Sequence, residues 1–161
     1  MPVREPRARG KNAVSITRIL AAKKAENASA RYPRALVIAA DTLLVCRKKI
    51  MGKPTSAKEA ARMLERMSGQ KITAITSICI RLPGRKPSVW SEKGWVGMRE
   101  ITPKQMAAYL QSGLWKGKAG AINIAEKPVK NWVEKKGGEE GAIVGLPVRK
   151  LRMVLRRAGV V

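Results

Sequence analysis

The sequence predicts a single α/β domain in which a mixed, twisted sheet is flanked by helices. Segments with apolar residues at helical spacing alternate with continuous apolar runs of strand length, and one Pro-Gly pair indicates a hairpin. A length of 161 residues suits one domain. We expect an irregular basic arm over 1–12 and one folded domain over 13–161.

The first half of the chain predicts helix, strand and helix in turn. Apolar residues at helical spacing predict a helix over 15–30, which Pro33 ends. The apolar run over 35–46 has the length and β-branched content of a buried strand. Ser56 and Glu59 form a capping-box pattern, which predicts the start of a second helix.

The second half predicts a hairpin around Pro83-Gly84, followed by further helices and short strands. A Thr-Pro pair and a Leu-Pro pair mark two helix starts, and a glycine follows each helix. The predicted elements are strands over 71–82 and 89–98, a helix that starts at 102 and is stopped by Gly113, short strands around 121–124 and 129–133, and a last helix that starts at 146 and has Gly159 after it.

The composition excludes several kinds of chemistry. The chain has no histidine, so Ser-His-Asp triads and histidine metal sites are absent. It has no phenylalanine and only 4% aromatic residues, which argues against base-stacking surfaces for single strands or RNA. Acid–base or metal chemistry must therefore use Asp41, the one aspartate, or the glutamates.

The cysteines and the hydropathy pattern predict a cytoplasmic protein. Cys46 and Cys79 each lie within an apolar run, which is typical of buried structural thiols in a reducing compartment. No apolar run approaches the roughly 20 residues of a membrane helix. Residues 1–11 are basic and lack the apolar segment of a secretory signal.

The charge is strongly positive and leaves two interpretations open. Lysine and arginine total 34 against 11 acidic residues, which gives a net charge of +23. Such a field attracts nucleic acid, free nucleotides and other polyanions. The basic residues are spread along the whole chain, however, which equally fits a solvated basic surface.

Two features combine into a candidate site. Asp41 interrupts the buried run over 35–46, and a buried carboxylate is costly without a partner. It either has a function or caps a strand end. Lys53 follows 12 positions later in a Gly-Lys-Pro loop before a helix, where free N–H groups suit phosphate. An acid facing such a loop can hold Mg²⁺ or accept a proton from water.

The order of short motifs resembles the Maf family, the septum-formation-inhibitor-like nucleoside triphosphate pyrophosphatases. The resemblance covers about 5–159 and implies a Maf/inosine-triphosphatase-like fold with a cleft between two lobes, often in a homodimer. The motifs that carry it are Ala40-Asp41-Thr42, Gly52-Lys53-Pro54, Lys118-Ala119-Gly120-Ala121 and Val144-Gly145-Leu146-Pro147.

The resemblance also implies a role for each matching residue. Asp41 is the proton acceptor for the attacking water, and Thr42 lies where the family tunes base recognition. Lys24 and Lys53 contact the phosphates. Glu5 matches an acidic cleft residue that holds a metal together with Asp41. The implied reaction converts a nucleoside triphosphate to the monophosphate and pyrophosphate, with Mg²⁺ or another divalent cation such as Mn²⁺.

One departure from the family concerns the amino-terminal side of the pattern. The first strand and the Ser-x-Ser-Pro-Arg-Arg loop of the family have no counterpart in this sequence. Those arginines bind phosphate in a bidentate manner, so their loss should weaken triphosphate binding. Three explanations then remain. The sequence is incomplete, a partner chain completes the site, or the chain is a catalytically weak relative that binds nucleotides or nucleic acid.

A second departure concerns the base. Where the dTTP/UTP group has tyrosine and glutamine after its Ala-Gly-Ala stretch, this chain has Ile122 and Ala125. Thr42 favours the dTTP/UTP group, whereas Ala125 argues against it. A dTTP/UTP-type and a 7-methyl-GTP-type substrate therefore both remain open.

Overall fold

A computed structural model describes residues 12–161 of the chain. Glu5 and all of the predicted arm except Asn12 lie outside the described residues. Helices and strands follow in the order α1 Ala13–Arg31, β1 Val37–Cys46, β2 Lys49–Met51, α2 Ala57–Met67, β3 Lys71–Arg81, β4 Ser88–Met98, α3 Pro103–Ser112, a 3-10 turn Ala119–Ala121, α4 Lys127–Trp132, β5 Val133–Gly138, α5 Glu140–Val144 and α6 Val148–Arg157.

The described strands form one five-stranded sheet in the order β2-β1-β3-β4-β5. The predicted α/β fold is confirmed, but the predicted mixed sheet differs because every described strand pairing is antiparallel. The reason lies in the α2 crossover. It joins β2 to β3, which run in the same direction but lie on opposite sides of β1, so the crossover creates no parallel neighbours.

Helices cover both faces of the sheet. On one face, α1 packs Ile16 and Leu20 against Leu43 and Ile75 of the two central strands. On the other face, the end of β3 contacts Leu151 and Leu155 of α6, and α5 lies across β3 and β4. A Cβ atom on Gly94 would meet the Glu139 carbonyl oxygen at 2.5 Å, so this close approach of β4 to the α5 segment requires glycine.

A second group of helices packs against the Leu44 end of the sheet. Helices α2, α3 and α4 and the 3-10 turn share one apolar cluster with residues of β1, β3 and β4. Gly120 of the turn has φ 63°, and a Cβ atom there would lie 3.0 Å from Leu44 Cδ1. Glycine therefore allows the Lys-Ala-Gly-Ala stretch to rest directly on β1.

Most predicted elements are confirmed. The sequence reasoning missed the short strand β2 at Lys49–Met51, and the other errors fall between 119 and 145. The strands predicted over 121–124 and 129–133 are wrong. The first segment is the end of the 3-10 turn and the irregular chain after it, and the second lies in α4 up to Trp132, with only Val133 in a strand. Helix α4 has Pro128 in its first turn. The sequence reasoning missed β5, whose Val-Glu-Lys-Lys-Gly-Gly sequence has little strand propensity. Pairing with β4 forms this strand.

None of the helices within residues 12–161 has the length and apolar content needed to cross a membrane. Both cysteines are reduced and fully buried, as their apolar surroundings predict.

Candidate active site

The structure brings Lys24 and Asp41 into contact. Lys24 Nζ lies 2.5 Å from Asp41 Oδ1 and 3.5 Å from the Ala40 carbonyl oxygen. Lys24 reaches strand β1 from helix α1, which packs on the face of the sheet to which the Asp41 side chain points. The Asp41 side chain is 11% exposed and the Lys24 side chain 45% exposed. The carboxylate is therefore sheltered, while its cationic partner can move toward a ligand.

Asp41 and Thr42 lie at the middle of β1, beyond the end of β2. Strand β2 pairs with residues 44–46 of β1, and Met51 lies opposite Leu44. Beyond Met51 the chain continues through Gly52 and Lys53 into the loop before α2. Asp41 and Thr42 therefore lie on a stretch of β1 that β2 does not cover.

Thr42 follows Asp41 directly, so its side chain lies on the opposite face of the sheet. Its Oγ1 is 2.8 Å from Thr76 Oγ1, and the buried Thr76 hydroxyl donates to the Ala142 carbonyl of α5 at 2.8 Å. A Cβ atom on Gly145 would lie 3.4 Å from Thr42 Oγ1. Thr42 thus lies against the segment that links α5 to α6.

This hydrogen-bond chain has a fixed direction. The Ala142 carbonyl can only accept, so the one hydrogen of Thr76 is directed at it. Thr42 must therefore donate its own hydrogen to Thr76. The Thr42 hydroxyl is left with lone pairs only, and it can act toward a ligand as an acceptor but not as a donor.

A second hydroxyl chain supports the Asp41 face. Ser77 lies opposite Asp41 in the β1–β3 register. Its Oγ is 2.6 Å from Thr17 Oγ1 of α1 and 2.8 Å from Ser91 Oγ of β4. Thr17 and Ser77 are fully buried, so these bonds fix α1, and with it Lys24, relative to the strand that carries Asp41.

Lys53 is exposed in the loop between β2 and α2. The Gly120 N–H donates to the Gly52 carbonyl at 2.8 Å, which ties this loop to the Lys-Ala-Gly-Ala turn. The amino end of α2 already has partners, because Ser56 Oγ accepts from the Glu59 N–H and Glu59 accepts from the Thr55 N–H. These bonds to Thr55 lower the pKa of Glu59. Phosphate binding here would therefore rest on Lys53 more than on the end of the helix.

The stretch after the turn borders an open groove of about 480 Å³. Lys118 pairs with Glu126, whose Oε2 lies 2.5 Å from the lysine Nζ. Val144 links the groove to Gly145, which lies against Thr42. The wall of the groove combines apolar, basic and acidic side chains, namely Ile124, Ala125, Val133, Val144, Lys130, Lys135, Lys136, Glu134 and Glu140.

The described residues supply one carboxylate of the expected metal site. Glu5 lies outside residues 12–161, and within them no group of three or more Cys, Asp or Glu side chains could hold a metal ion. Magnesium commonly uses one or two carboxylates together with substrate phosphates and waters. A sheltered Asp41 beside a triphosphate fits that donor set.

Sequence reasoning missed the supporting hydroxyl groups. Thr76 and Ser77 lie inside an apolar strand, and both are fully buried. Two adjacent hydroxyl residues in such a run indicate buried hydrogen bonds on both faces of a sheet. Their partners Thr17 of α1 and Ala142 of α5 are 60 and 66 residues distant in sequence, so only the packing of these helices on the sheet identifies them.

The fold and the site together define an α/β protein with an aspartate–lysine pair at a central strand, beside a Gly-Lys-Pro loop. A family model described as Maf-like protein matches residues 2–158, and the chain belongs to the Maf family.

Curated relatives carry related names. The chain is 38% identical to a dTTP/UTP pyrophosphatase of Pyrococcus horikoshii over 130 residues, which are 81% of this chain and 69% of the relative. It is 36% identical to a dTTP/UTP pyrophosphatase of Shouchella clausii over 143 residues, 89% of this chain and 74% of the relative. It is 32% identical to a nucleoside triphosphate pyrophosphatase of Ehrlichia ruminantium strain Gardel over 136 residues, 84% and 70% of the two chains.

Proposed function

We propose that this protein is a nucleoside triphosphate pyrophosphatase that releases pyrophosphate and leaves a nucleoside monophosphate. The contact between Lys24 and Asp41 carries the proposal, since it joins a carboxylate and a mobile cation at one point of a central strand. Membership of the Maf family and relatives named as pyrophosphatases support the same reaction.

The reaction needs a base and positive charge near the phosphates. Asp41 accepts a proton from water, whose oxygen attacks the α-phosphorus. The bond from that phosphorus to the bridging oxygen breaks, and pyrophosphate leaves with the electron pair. Lys24 turns from Asp41 toward the phosphate oxygens, and Lys53 adds a second charge from its loop.

A divalent cation fits this arrangement. Asp41 would hold it together with phosphate oxygens, and Glu5 is the second carboxylate that the family resemblance implies. When bound, Mg²⁺ would neutralise part of the phosphate charge.

The direction of the Thr42 hydrogen bond bears on the base. An acceptor-only hydroxyl suits a base that presents an N–H donor, as the imide of thymine and uracil and the N1–H of guanine all do. Relatives named dTTP/UTP pyrophosphatase support dTTP and UTP, and we therefore propose these two as the first substrates to test. The 7-methyl-GTP type remains the second candidate, because Ala125 replaces the larger glutamine of the dTTP/UTP group and leaves space beside the groove.

The first experiment measures pyrophosphate release from dTTP, UTP, CTP, GTP and 7-methyl-GTP, with Mg²⁺ and separately with Mn²⁺. Asp41→Asn keeps the size of the side chain but removes the base, and it should lower turnover by roughly 100-fold or more. Glu65→Gln is the matched control, since it removes one acidic charge from an exposed position on α2. It should retain the parent rate.

Two results would contradict the proposal. Pyrophosphate release by Asp41→Asn at the parent rate would exclude Asp41 as the base. No release from any of the five nucleotides by a folded parent protein would exclude the enzyme and favour a relative that only binds nucleotides.

A further inference from the structure

A pocket of about 390 Å³ lies between the carboxyl end of α1 and the β3–β4 turn. We propose that it binds a small oligophosphate anion. It is separate from the candidate active site, because Arg81 on its wall pairs with Val37, four residues along β1 from Asp41. At 3.3 Å per residue, this separation is about 13 Å along the strand.

The charge of the pocket is entirely positive. Arg81, Arg85 and Lys86 line it, and none of the described residues on its wall is acidic. The Arg85 guanidinium donates through Nη1 to the Ala158 carbonyl at 3.2 Å, which orients it and occupies one of its five N–H donors. Two guanidinium groups and one ammonium group supply the planar and point charges that phosphate oxygens prefer.

A buried hydroxyl gives an independent reason to expect a ligand. Ser29 lines the pocket from α1, and its Oγ is buried without a hydrogen bond within residues 12–161. A buried hydroxyl that makes no hydrogen bond is uncommon and costs free energy. Rotation of the Ser29 side chain toward the pocket would let a phosphate oxygen there accept this hydrogen.

Two physical checks favour a small anion. The carboxyl end of α1 contributes about half a negative charge, which the three cations exceed. A volume of about 390 Å³ lies within the range of small-ligand pockets and exceeds what one phosphate needs, so two or three linked phosphates fit better. A nucleic-acid backbone would instead require a basic groove that continues along the surface.

The test is calorimetric titration of the full chain with sodium tripolyphosphate at constant ionic strength. The parent for this test carries Lys24→Gln and Lys53→Gln, which removes the phosphate contacts of the candidate active site. The pocket variant adds Arg81→Gln, Arg85→Gln and Lys86→Gln. The control variant instead adds Arg47→Gln, Lys48→Gln and Lys49→Gln at the β1–β2 turn, so both variants lose three charges.

The pocket variant should bind tripolyphosphate with an affinity about tenfold or more below that of the parent, because three charged hydrogen-bond donors are lost. The control variant should remain within about twofold of the parent, since its charges are distant and screened. Ser29→Ala should weaken binding about threefold to fivefold, and this small change also serves if the triple variant does not fold.

Three outcomes would overturn the proposal. One is the absence of saturable binding to the parent, and another is an equal loss in the pocket and control variants. The third is a pocket variant that binds a twelve-nucleotide thymidine oligomer more weakly than the parent does but binds tripolyphosphate with unchanged affinity. When the three pocket substitutions are made in a chain that keeps Lys24 and Lys53, pyrophosphate release should match that of the unaltered protein, because the pocket is separate from the candidate active site.

Discussion

Thr76 connects two parts of the candidate site through one hydroxyl group. It joins Thr42 on β1 to the Ala142 carbonyl on α5, and it is fully buried. Loss of this hydroxyl would leave the buried Ala142 carbonyl and the partly buried Thr42 hydroxyl without this bond. The position of Thr42 and of the segment around Gly145 should both depend on it.

Thr76→Val keeps the shape of the side chain but removes the hydroxyl. It should lower the free energy of unfolding by about 1–3 kcal/mol, because the Ala142 carbonyl and the Thr42 hydroxyl lose their partner. Thr76→Ser keeps the hydroxyl and should cost about 1 kcal/mol for the lost methyl group. Urea unfolding of both variants measures the difference. Equal losses in the two variants would show that the hydrogen bonds contribute little.

The sequence predicts individual site residues better than the relations between them. Asp41 was predicted because a carboxylate is costly inside an apolar run, and this reasoning needs no partner to be known. Its contact with Lys24 was not readable from spacing, since α1 and β1 approach each other only through the fold. The catalytic and metal-binding roles of these residues stay predictions.

At the scale of elements, Tyr109 links α3 to the Lys-Ala-Gly-Ala turn. The phenol donates to the Ala121 carbonyl at 2.9 Å, and the residue is 2% exposed. Its ring also packs edge-on against Trp132 of α4, with the centroids 5.2 Å apart. Burial raises the pKa of Tyr109 to about 12, and the negative charge of Glu126 adds to this effect.

This raised pKa predicts a loss of stability at alkaline pH. In the unfolded chain tyrosine loses its proton near pH 10, so between pH 10 and about 12 only the folded state retains it. The unfolded state then gains stability, and the free energy of unfolding falls as the pH rises. Urea unfolding between these pH values should show a steeper fall for the parent than for Tyr109→Phe.

Tyr32 provides the matched control, because it is the other tyrosine of the chain and is 64% exposed. Tyr32→Phe should follow the pH dependence of the parent. All three proteins share every other ionisable group, so the comparison isolates Tyr109. If Tyr109→Phe and Tyr32→Phe behave identically, the buried phenol does not control the alkaline loss.

The elements between 119 and 145 were the least predictable, for a physical reason. The strand β5 has two lysines and two glycines, and it forms because β4 offers a partner rather than through its own propensity. The long periodic elements are predicted well because the spacing of their apolar residues is a local property of the sequence. The predicted mixed sheet was wrong in its pairing because strand order depends on the whole topology.

At the scale of the whole molecule, the charge of +23 is the dominant electrostatic feature. Five ion pairs join side chains within residues 12–161, which hold 30 of the 34 lysines and arginines, because Arg4, Arg7, Arg9 and Lys11 lie outside that range. Most positive charges therefore repel one another across the surface. The predicted homodimer, the predicted cytoplasmic location and the predicted single domain over 13–161 stay predictions at this scale.

Added salt should stabilise the folded protein. Screening falls from about 30 Å at 0.01 M salt to about 10 Å at 0.1 M, which weakens the repulsion between distant lysines more than the contacts within ion pairs. The urea midpoint should rise between these two NaCl concentrations. A parallel series with sucrose raises stability without screening and separates the two effects. A midpoint that falls with NaCl would mean that the ion pairs outweigh the repulsion.

The buried cysteines have a consequence for observing how the molecule opens. Cys46 lies in the cluster with α2, Cys79 lies under α1, and each is 0% exposed. Burial raises the pKa of both thiols, so the reactive thiolate form is scarce in the folded state. A thiol reagent can modify either residue only while its end of the sheet is open. The modification rates of Cys46 and Cys79 therefore measure separately how often the two ends of the sheet open, in the chain without any substitution.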